Sequence, residues 1–284
     1  MGGEGFGPHD MALSLKTLKA AFYHGIRHFD TAGLYAQGRS ESLLAKAFSG
    51  ARSKVFISSK GGLERQGRKV WHNARPDALR RALVASLKRL RTDYLDLFQL
   101  HWPDPKVPLD ESIGALREFR QEGLIRYWGV GNLSSNQVIK YLKAGRLVPH
   151  QVHFNPIYQS GIQVLKAGRE SSRCINCVIS PLEQGLLASA ILVKKRLGKK
   201  DLRRRNPLFH DRKTKEYLTH FFDQCTQMGI SPVMAVINWI LAHDEVDIVI
   251  PGPRKPEQLK VLMECFQKDS QWGDLQVLFQ KIAR

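Results

Sequence analysis

What most constrains this chain is an alternation of two patterns. Short apolar, β-rich runs are each followed by a turn and then by a segment whose apolar residues recur at three- and four-residue spacing. The runs that predict strands are 28–31, 55–60, 94–102, 127–132, 150–155, 177–181 and 247–251, seven in all. Between them, 75–90 is the clearest amphipathic helix, with Leu79, Leu83, Leu87 and Leu90 on one face and arginines opposite. A second helix begins at Ser134, where Ser134 and Gln137 have capping-box spacing, and a third at Ser231, with Pro232 in the first turn. The alternation predicts a parallel sheet covered by helices and joined by right-handed crossovers. Such a chain folds as an open doubly wound sheet or as a closed (β/α)8 barrel.

A Rossmann version of the open sheet needs a glycine-rich phosphate turn, and Gly129-Val130-Gly131-Asn132-Leu133-Ser134 does sit between a strand and a helix. Ser134 stands where the third glycine belongs, and the next run, 150–155, offers no Asp or Glu to hold a ribose. The regular spacing of units favours one (β/α)8 TIM barrel spanning 1–284, with a long basic insertion at about 186–230. The opening is irregular. A glycine-rich stretch, 2–7, leads into the first helix, 14–24, with no apolar strand before it. The expectation is a barrel whose first strand is missing or degenerate, leaving a sheet edge.

Composition narrows the classes of function. The 284 residues are 43% hydrophobic and 25% charged, the make-up of a globular protein with a sizeable core. No apolar run approaches the ~20 residues of a membrane helix; the longest candidate, 232–242, is interrupted by Asn238. The start of the chain lacks the basic and apolar blocks of a secretory signal, which predicts a cytoplasmic protein with reduced cysteines. Cys174 and Cys177 have metal or redox spacing, but no second pair accompanies them and no metal site is expected. Forty-four Lys and Arg against 26 Asp and Glu give a net charge of +18, which raises the question of an acidic partner. Eleven of those basic residues fall within 194–215. A solvated loop, a cover over an anionic cofactor and a nucleic-acid patch each suit that segment; its one aromatic, Phe209, gives base stacking little support.

Polar residues at strand ends are the candidates for chemistry. The first run reaches Asp30, with Tyr35 five residues on; the second ends in Lys60 and the third in His101-Trp102. In a barrel all four titratable groups point to the C-terminal mouth. Taken singly, each has an ordinary structural role as a solvated cap, a packing ring or a satisfied core histidine. Taken together they share a chemistry. A phenol with an ordinary pKa of about 10 is a poor proton donor near neutrality, and Lys60 is expected to lower it by stabilising the phenolate. Asp30 would pair with Lys60, and His101 would orient a carbonyl oxygen or relay a proton. A hydride donor would complete a reduction.

The segments Asp30-Thr31-Ala32-Gly33-Leu34-Tyr35, Ser58-Ser59-Lys60, Leu100-His101-Trp102-Pro103-Asp104 and Ile250-Pro251-Gly252 together resemble the aldo-keto reductase superfamily, in register from roughly residue 21 to 262. The stretch from Tyr94 to Trp102 is most similar to its bacterial and potassium-channel β-subunit-like branches. The resemblance implies a (β/α)8 barrel that binds NADP(H) at its mouth, with Tyr35 as general acid, Lys60 and Asp30 tuning it and His101 positioning the carbonyl. It further implies that Asn132 and Gln151 hold the nicotinamide carboxamide and that Ser180, Pro181, Leu182 and Gly185 surround the pyrophosphate. By the same resemblance Gly252, Arg254 and Gln258 grip the adenosine 2′-phosphate, and Arg254 with Lys255 gives a charge reason to prefer NADPH. Trp102 is the candidate substrate residue; Trp71 suits either a pocket or packing.

Four positions depart from the family pattern. Gly131 stands where Ser is common, Ile179 where an aromatic ring usually stacks on the nicotinamide, and Val261 and Leu262 replace a Glu-Asn pair near the adenine. With the missing strand they predict weaker cofactor binding than in a typical member. The expected activity is NADPH-dependent reduction of an aldehyde or ketone to an alcohol. The alternative is an NADP(H)-sensing regulatory subunit with slow or no turnover. A third reading, a cofactor-free basic barrel that binds nucleic acid, is opposed by the intact set of four. The expected partner is a small carbonyl substrate, without membrane or nucleic acid; an oligomer is compatible with this reading.

Overall fold

The computed structural model describes residues 10–67, 69–142, 148–170, 174–194, 197–199 and 201–265. In chain order the first elements are α1 (Met11–Tyr23), β1 (His28–Asp30), α2 (Arg39–Ala47), β2 (Phe56–Gly61), β3 (Leu63–Gln66), β4 (Lys69–His72) and α3 (Pro76–Leu90). Then come β5 (Leu95–Leu100), α4 (Leu109–Gln121), β6 (Ile125–Gly131), α5 (Ser135–Leu142), β7 (Val148–His153), α6 (Ile162–Glu170) and β8 (Cys174–Ile179). The last are α7 (Ala190–Lys194), α8 (Arg212–Gln227), α9 (Pro232–Leu241), β9 (Ile248–Ile250) and α10 (Pro256–Glu264).

The seven strands expected from the sequence form one parallel sheet in the order β1-β2-β5-β6-β7-β8-β9. Each therefore lies beside its predecessor in the chain, with crossover helices between them. The sheet is rolled. The Gln151 amide on β7 donates to the Asp30 carboxylate on β1 at 2.8 Å, although β2, β5 and β6 lie between them in the strand order. Rolling of that kind matches the (β/α)8 barrel, with seven of its strands among the described residues, and excludes the open doubly wound sheet. Among the described residues the outermost strands are β1 and β9; the glycine-rich stretch 2–7 lies outside the described residues. The helical layer spans the interval between those two strands. α1 packs against both α2 and α10, and the Thr17 hydroxyl donates to the Arg254 carbonyl at 3.4 Å.

Strand alternation sorts the side chains. Phe29 and Phe98 face the helices, where Phe29 meets Phe48 at 4.6 Å and Phe98 meets Phe119 at 6.5 Å between ring centroids. His28, Asp30, Ser58 and Lys60 turn to the barrel interior, where His28 bonds Ser58 and Lys60 bonds Asp30. Two helix starts follow the expected chemistry, Pro232 in a first-turn position and Ser134 and Gln137 in a reciprocal capping box at 2.9 and 3.3 Å, and Pro76 opens α3 in the same way as Pro232. At the end opposite the mouth, buried Asp96 accepts from the Ile57 N–H at 2.9 Å, Arg52 at 2.8 Å and Arg126 at 3.0 Å.

The fold differs from the sequence reading in one place. The antiparallel pair β3–β4 follows β2 and was not expected, because Glu64, Arg65, Gln66 and Lys69 give it no apolar alternation. As the strand reading of 127–132 expected, Gly129 and Gly131 belong to the β6 ladder, and a Cβ on Gly129 would sit 2.6 Å from the Pro149 carbonyl oxygen. Cys174 and Cys177 share β8, where a three-residue offset places them on opposite faces; burial pushes both thiols up to about 12.

Candidate active site at the barrel mouth

Asp30, Lys60 and His101 occupy or follow the C-terminal ends of three adjacent strands, so the rolled sheet brings them to one mouth. Lys60 is almost fully buried; its ammonium bonds the Asp30 carboxylate and donates to the Thr31 carbonyl at 2.8 Å. Tyr35 joins them from the loop after β1. The Lys60 Nζ lies 5.2 Å from the centre of its ring, and the His101 ring stands edge-on to it at 5.9 Å. The four candidate titratable residues are therefore together.

The loop that carries Tyr35 is tightly constrained. Ala36 and Gln37 have φ of 51° and 57°, in the left-handed region, and Gly38 follows at 85°. A Cβ on Gly38 would lie 2.4 Å from Arg89 Cδ, so this position needs glycine for its backbone angle and for space. Arg89 is held by fully buried Glu41, whose other oxygen accepts from Ser59 at 2.6 Å, next to Lys60. Runs of left-handed non-glycine residues are costly and persist where surrounding contacts fix them.

Electrostatics refine the expected roles. Burial raises the Tyr35 pKa above the phenol range, and the Lys60 charge opposes this without reversing it. The sequence argument expected a net lowering; the structure gives the opposite direction because burial outweighs the ammonium. Burial also disfavours the Lys60 charge, but Asp30 and Tyr35 together hold its pKa above the usual lysine value. His101 is depressed to about 3, chiefly by burial and then by Lys60. It is neutral near pH 7, so it orients a polar atom and does not serve as a cationic acid.

Asn132 and Gln151 complete the mouth. Asn132, at φ 58°, donates its Nδ2 to the His101 carbonyl and its backbone N–H to the Gln151 carbonyl, both at 2.9 Å. Gln151 donates its Nε2 to Asp30. A closed circuit of contacts thus runs from His101 through Asn132, Gln151, Asp30, Lys60 and Tyr35 back to His101. Both amides turn an N–H to a protein acceptor and keep a carbonyl oxygen for other use. Two amide carbonyls suit the NH2 of a carboxamide, so this donor and acceptor set fits a nicotinamide. Gly131 fits closely here, since a Cβ would meet the His101 carbonyl oxygen at 3.1 Å.

The other expected cofactor positions lie on the same rim. Ser180, Pro181, Leu182 and Gly185 form the loop after β8, with Ser180 exposed and left-handed at φ 54°. Half-buried Ile179 ends β8 beside them. Gly252 is exposed, with nothing within 4 Å of a Cβ position, so it does not act as a steric cradle. Gln258 accepts from the Arg254 N–H at 2.8 Å and fixes the start of α10. Burial first, and then neighbouring Arg203, lowers the Arg254 pKa, with Asp201 acting against them. Leu262 is committed to packing in a cluster with Ile237.

Sequence reasoning missed a network centred on Glu183. This carboxylate, 1% exposed, accepts from His153 at 2.7 Å and from Asn155 and Asn206 at 2.8 Å each. It ties the 180–185 loop to the end of β7 and to the basic insertion. Arg203 is likewise buried and paired with Asp201 through two bonds at 3.0 and 2.7 Å. The insertion is therefore anchored at residues 201–209 and is not wholly a solvated loop. Beside the mouth, a cavity of about 530 Å³ is lined by Lys69, Trp71, His72, Asp104 and Lys106 among others. Trp102, 42% exposed, stands 6.2 Å from His72.

A rolled parallel barrel whose mouth gathers Asp, Tyr, Lys and His defines an oxidoreductase of the TIM-barrel class. The profile described as "Aldo/keto reductase family" matches residues 1–276, and the chain belongs to that family. It is 32% identical over 270 residues to the aldo-keto reductase YhdN of Bacillus subtilis, covering 93% of this chain and 82% of that one. It is 28% identical over 273 residues to the NADH-specific methylglyoxal reductase of Escherichia coli, covering 89% and 82%. The solved glycerol dehydrogenase of Gluconobacter oxydans superposes with a TM-score of 0.85 at 29% identity, covering 99% of this chain and 88% of that one. Among the described residues no helix is long and apolar enough to cross a membrane.

Proposed function

We propose that the chain reduces a small aldehyde or ketone to an alcohol with NADPH, using Tyr35 as general acid. The observation that carries this reading is the convergence of Tyr35, buried Lys60, Asp30 and neutral His101 at one mouth. A bound dihydronicotinamide supplies the hydride. The residues supply the rest. A phenol held above its ordinary pKa stays protonated near neutrality, and the adjacent ammonium stabilises the phenolate as the proton leaves. Asp30 keeps Lys60 in place and compensates its burial. Neutral His101 offers a ring N–H to orient the substrate oxygen beside the Tyr35 hydroxyl.

Arg254, with Arg203 close by, supports NADPH over NADH, although the Escherichia coli relative is NADH-specific. Tyr35→Phe is the direct test. Reduction should fall by about 10²-fold or more while NADPH titration by fluorescence stays near the unaltered value. Loss of NADPH binding in that variant, or retained turnover, would remove the assignment.

A further inference from the structure

We propose that Gln151 is a positioning residue that makes cofactor binding and the ordering of the proton-donor cluster one event. The proposal rests on the nicotinamide reading of the mouth and adds to it a link within the protein. Gln151 is 3% exposed and reaches across the barrel from β7 to β1. Its Nε2 donates to Asp30 Oδ1 at 2.8 Å, while the other Asp30 oxygen holds Lys60. Because a carboxylate only accepts, the amide must present its N–H to Asp30, and its carbonyl is then left for a carboxamide N–H. One side chain therefore touches the cofactor through Oε1 and the acid cluster through Nε2.

The backbone fixes this orientation. The Gln151 carbonyl accepts from the Asn132 N–H, and Gln151 pairs in register with Gly131 on one side and Cys177 on the other. The side chain has little freedom to exchange one partner for the other. Removing it would leave Asp30 Oδ1 in a nearly dry site with one partner fewer and would free the carboxylate to turn. Lys60, which is bonded to Asp30 and sits beside the Tyr35 ring, would move with it. Coupling of this kind is reciprocal: if cofactor binding steadies Asp30, then Asp30 steadies the bound cofactor.

A double-mutant cycle read by NADPH binding tests the link without using turnover. Gln151→Leu and Asp30→Ala are each expected to weaken NADPH about tenfold, the size of one hydrogen bond to a charged group. The double variant should bind no more than about twofold worse than the weaker single variant, because the second change removes a contact already lost. Losses that multiply to about a hundredfold would show two independent contacts and overturn the proposal, as would unchanged affinity in Gln151→Leu. Thermal unfolding of each variant verifies the fold, and Gln151→Met, which keeps the unbranched shape, serves in the cycle if the leucine variant does not fold. A merely structural role would lower unfolding temperature without coupling in the cycle. If the unaltered chain binds neither NADPH nor NADH, the nicotinamide reading fails and this proposal fails with it; multiplying losses in a chain that binds NADPH overturn only the proposal.

Discussion

At the scale of single residues, the mouth shows how burial decides between two opposing effects. Tyr35 has an ammonium beside it and still has a raised pKa, because removal from water costs the phenolate more than Lys60 returns. The sequence shows which residues meet but not how dry their meeting place is, so the set of four was legible and the direction of the Tyr35 shift was not. Glu183 was illegible for a related reason. Its partners lie 30 residues before it, at His153, and 23 after it, at Asn206, and no local spacing marks either. In the proposed function Arg254 carries the preference for NADPH. Arg254→Ala should weaken NADPH about tenfold or more and leave NADH affinity nearly unchanged, as measured by parallel fluorescence titrations. Equal weakening of both cofactors would remove its part in holding the 2′-phosphate.

At the scale of elements, strands were legible where a short apolar run ended in a polar residue. β1, β2 and β5 were found by that rule, and their ends hold Asp30, Lys60 and the approach to His101. The β3–β4 pair escaped it because its residues are polar and its strands are four residues long. That pair lines the cavity with Lys69 and Trp71, so the element that forms one wall of the cavity was the element least visible in the sequence. The far end of the barrel is organised differently. Asp96 lies in the apolar run of β5, where an acid is out of place unless paired, and it satisfies a β2 backbone N–H and two arginines. Arg52 and Arg126 also stack on the Tyr94 ring, at 4.3 and 4.2 Å from its centre. Asp96→Ala leaves the buried Ile57 N–H without its acceptor and should cost about 1–3 kcal/mol, read as a lowered urea midpoint. NADPH affinity of the folded fraction should not change.

At the scale of the whole molecule, buried His150 and half-buried His28 and His101 set the response to acid. His101 is held at about 3 and His150 at about 4, chiefly by burial, and burial also lowers His28. In the unfolded chain all three return toward the ordinary imidazole value of about 6.5. Between about pH 6.5 and pH 3 the unfolded state thus binds more protons than the native one, and stability rises with pH across that window. Thermal melts should show the unfolding temperature falling steadily as the pH drops through it. A flat profile would mean that these rings are not buried in the neutral form. The contact between Gln151 and Asp30 has a different consequence, one of order in time. Asp30, Tyr35, Lys60 and His101 come from the first half of the sheet, but the two amides arrive with β6 and β7, and the Gln151 bond joins positions 121 residues apart. A nascent or refolding chain that has paired only β1, β2 and β5 would hold every titratable group of the mouth and lack the amides that orient them, so competence for a cofactor is a late product of chain closure.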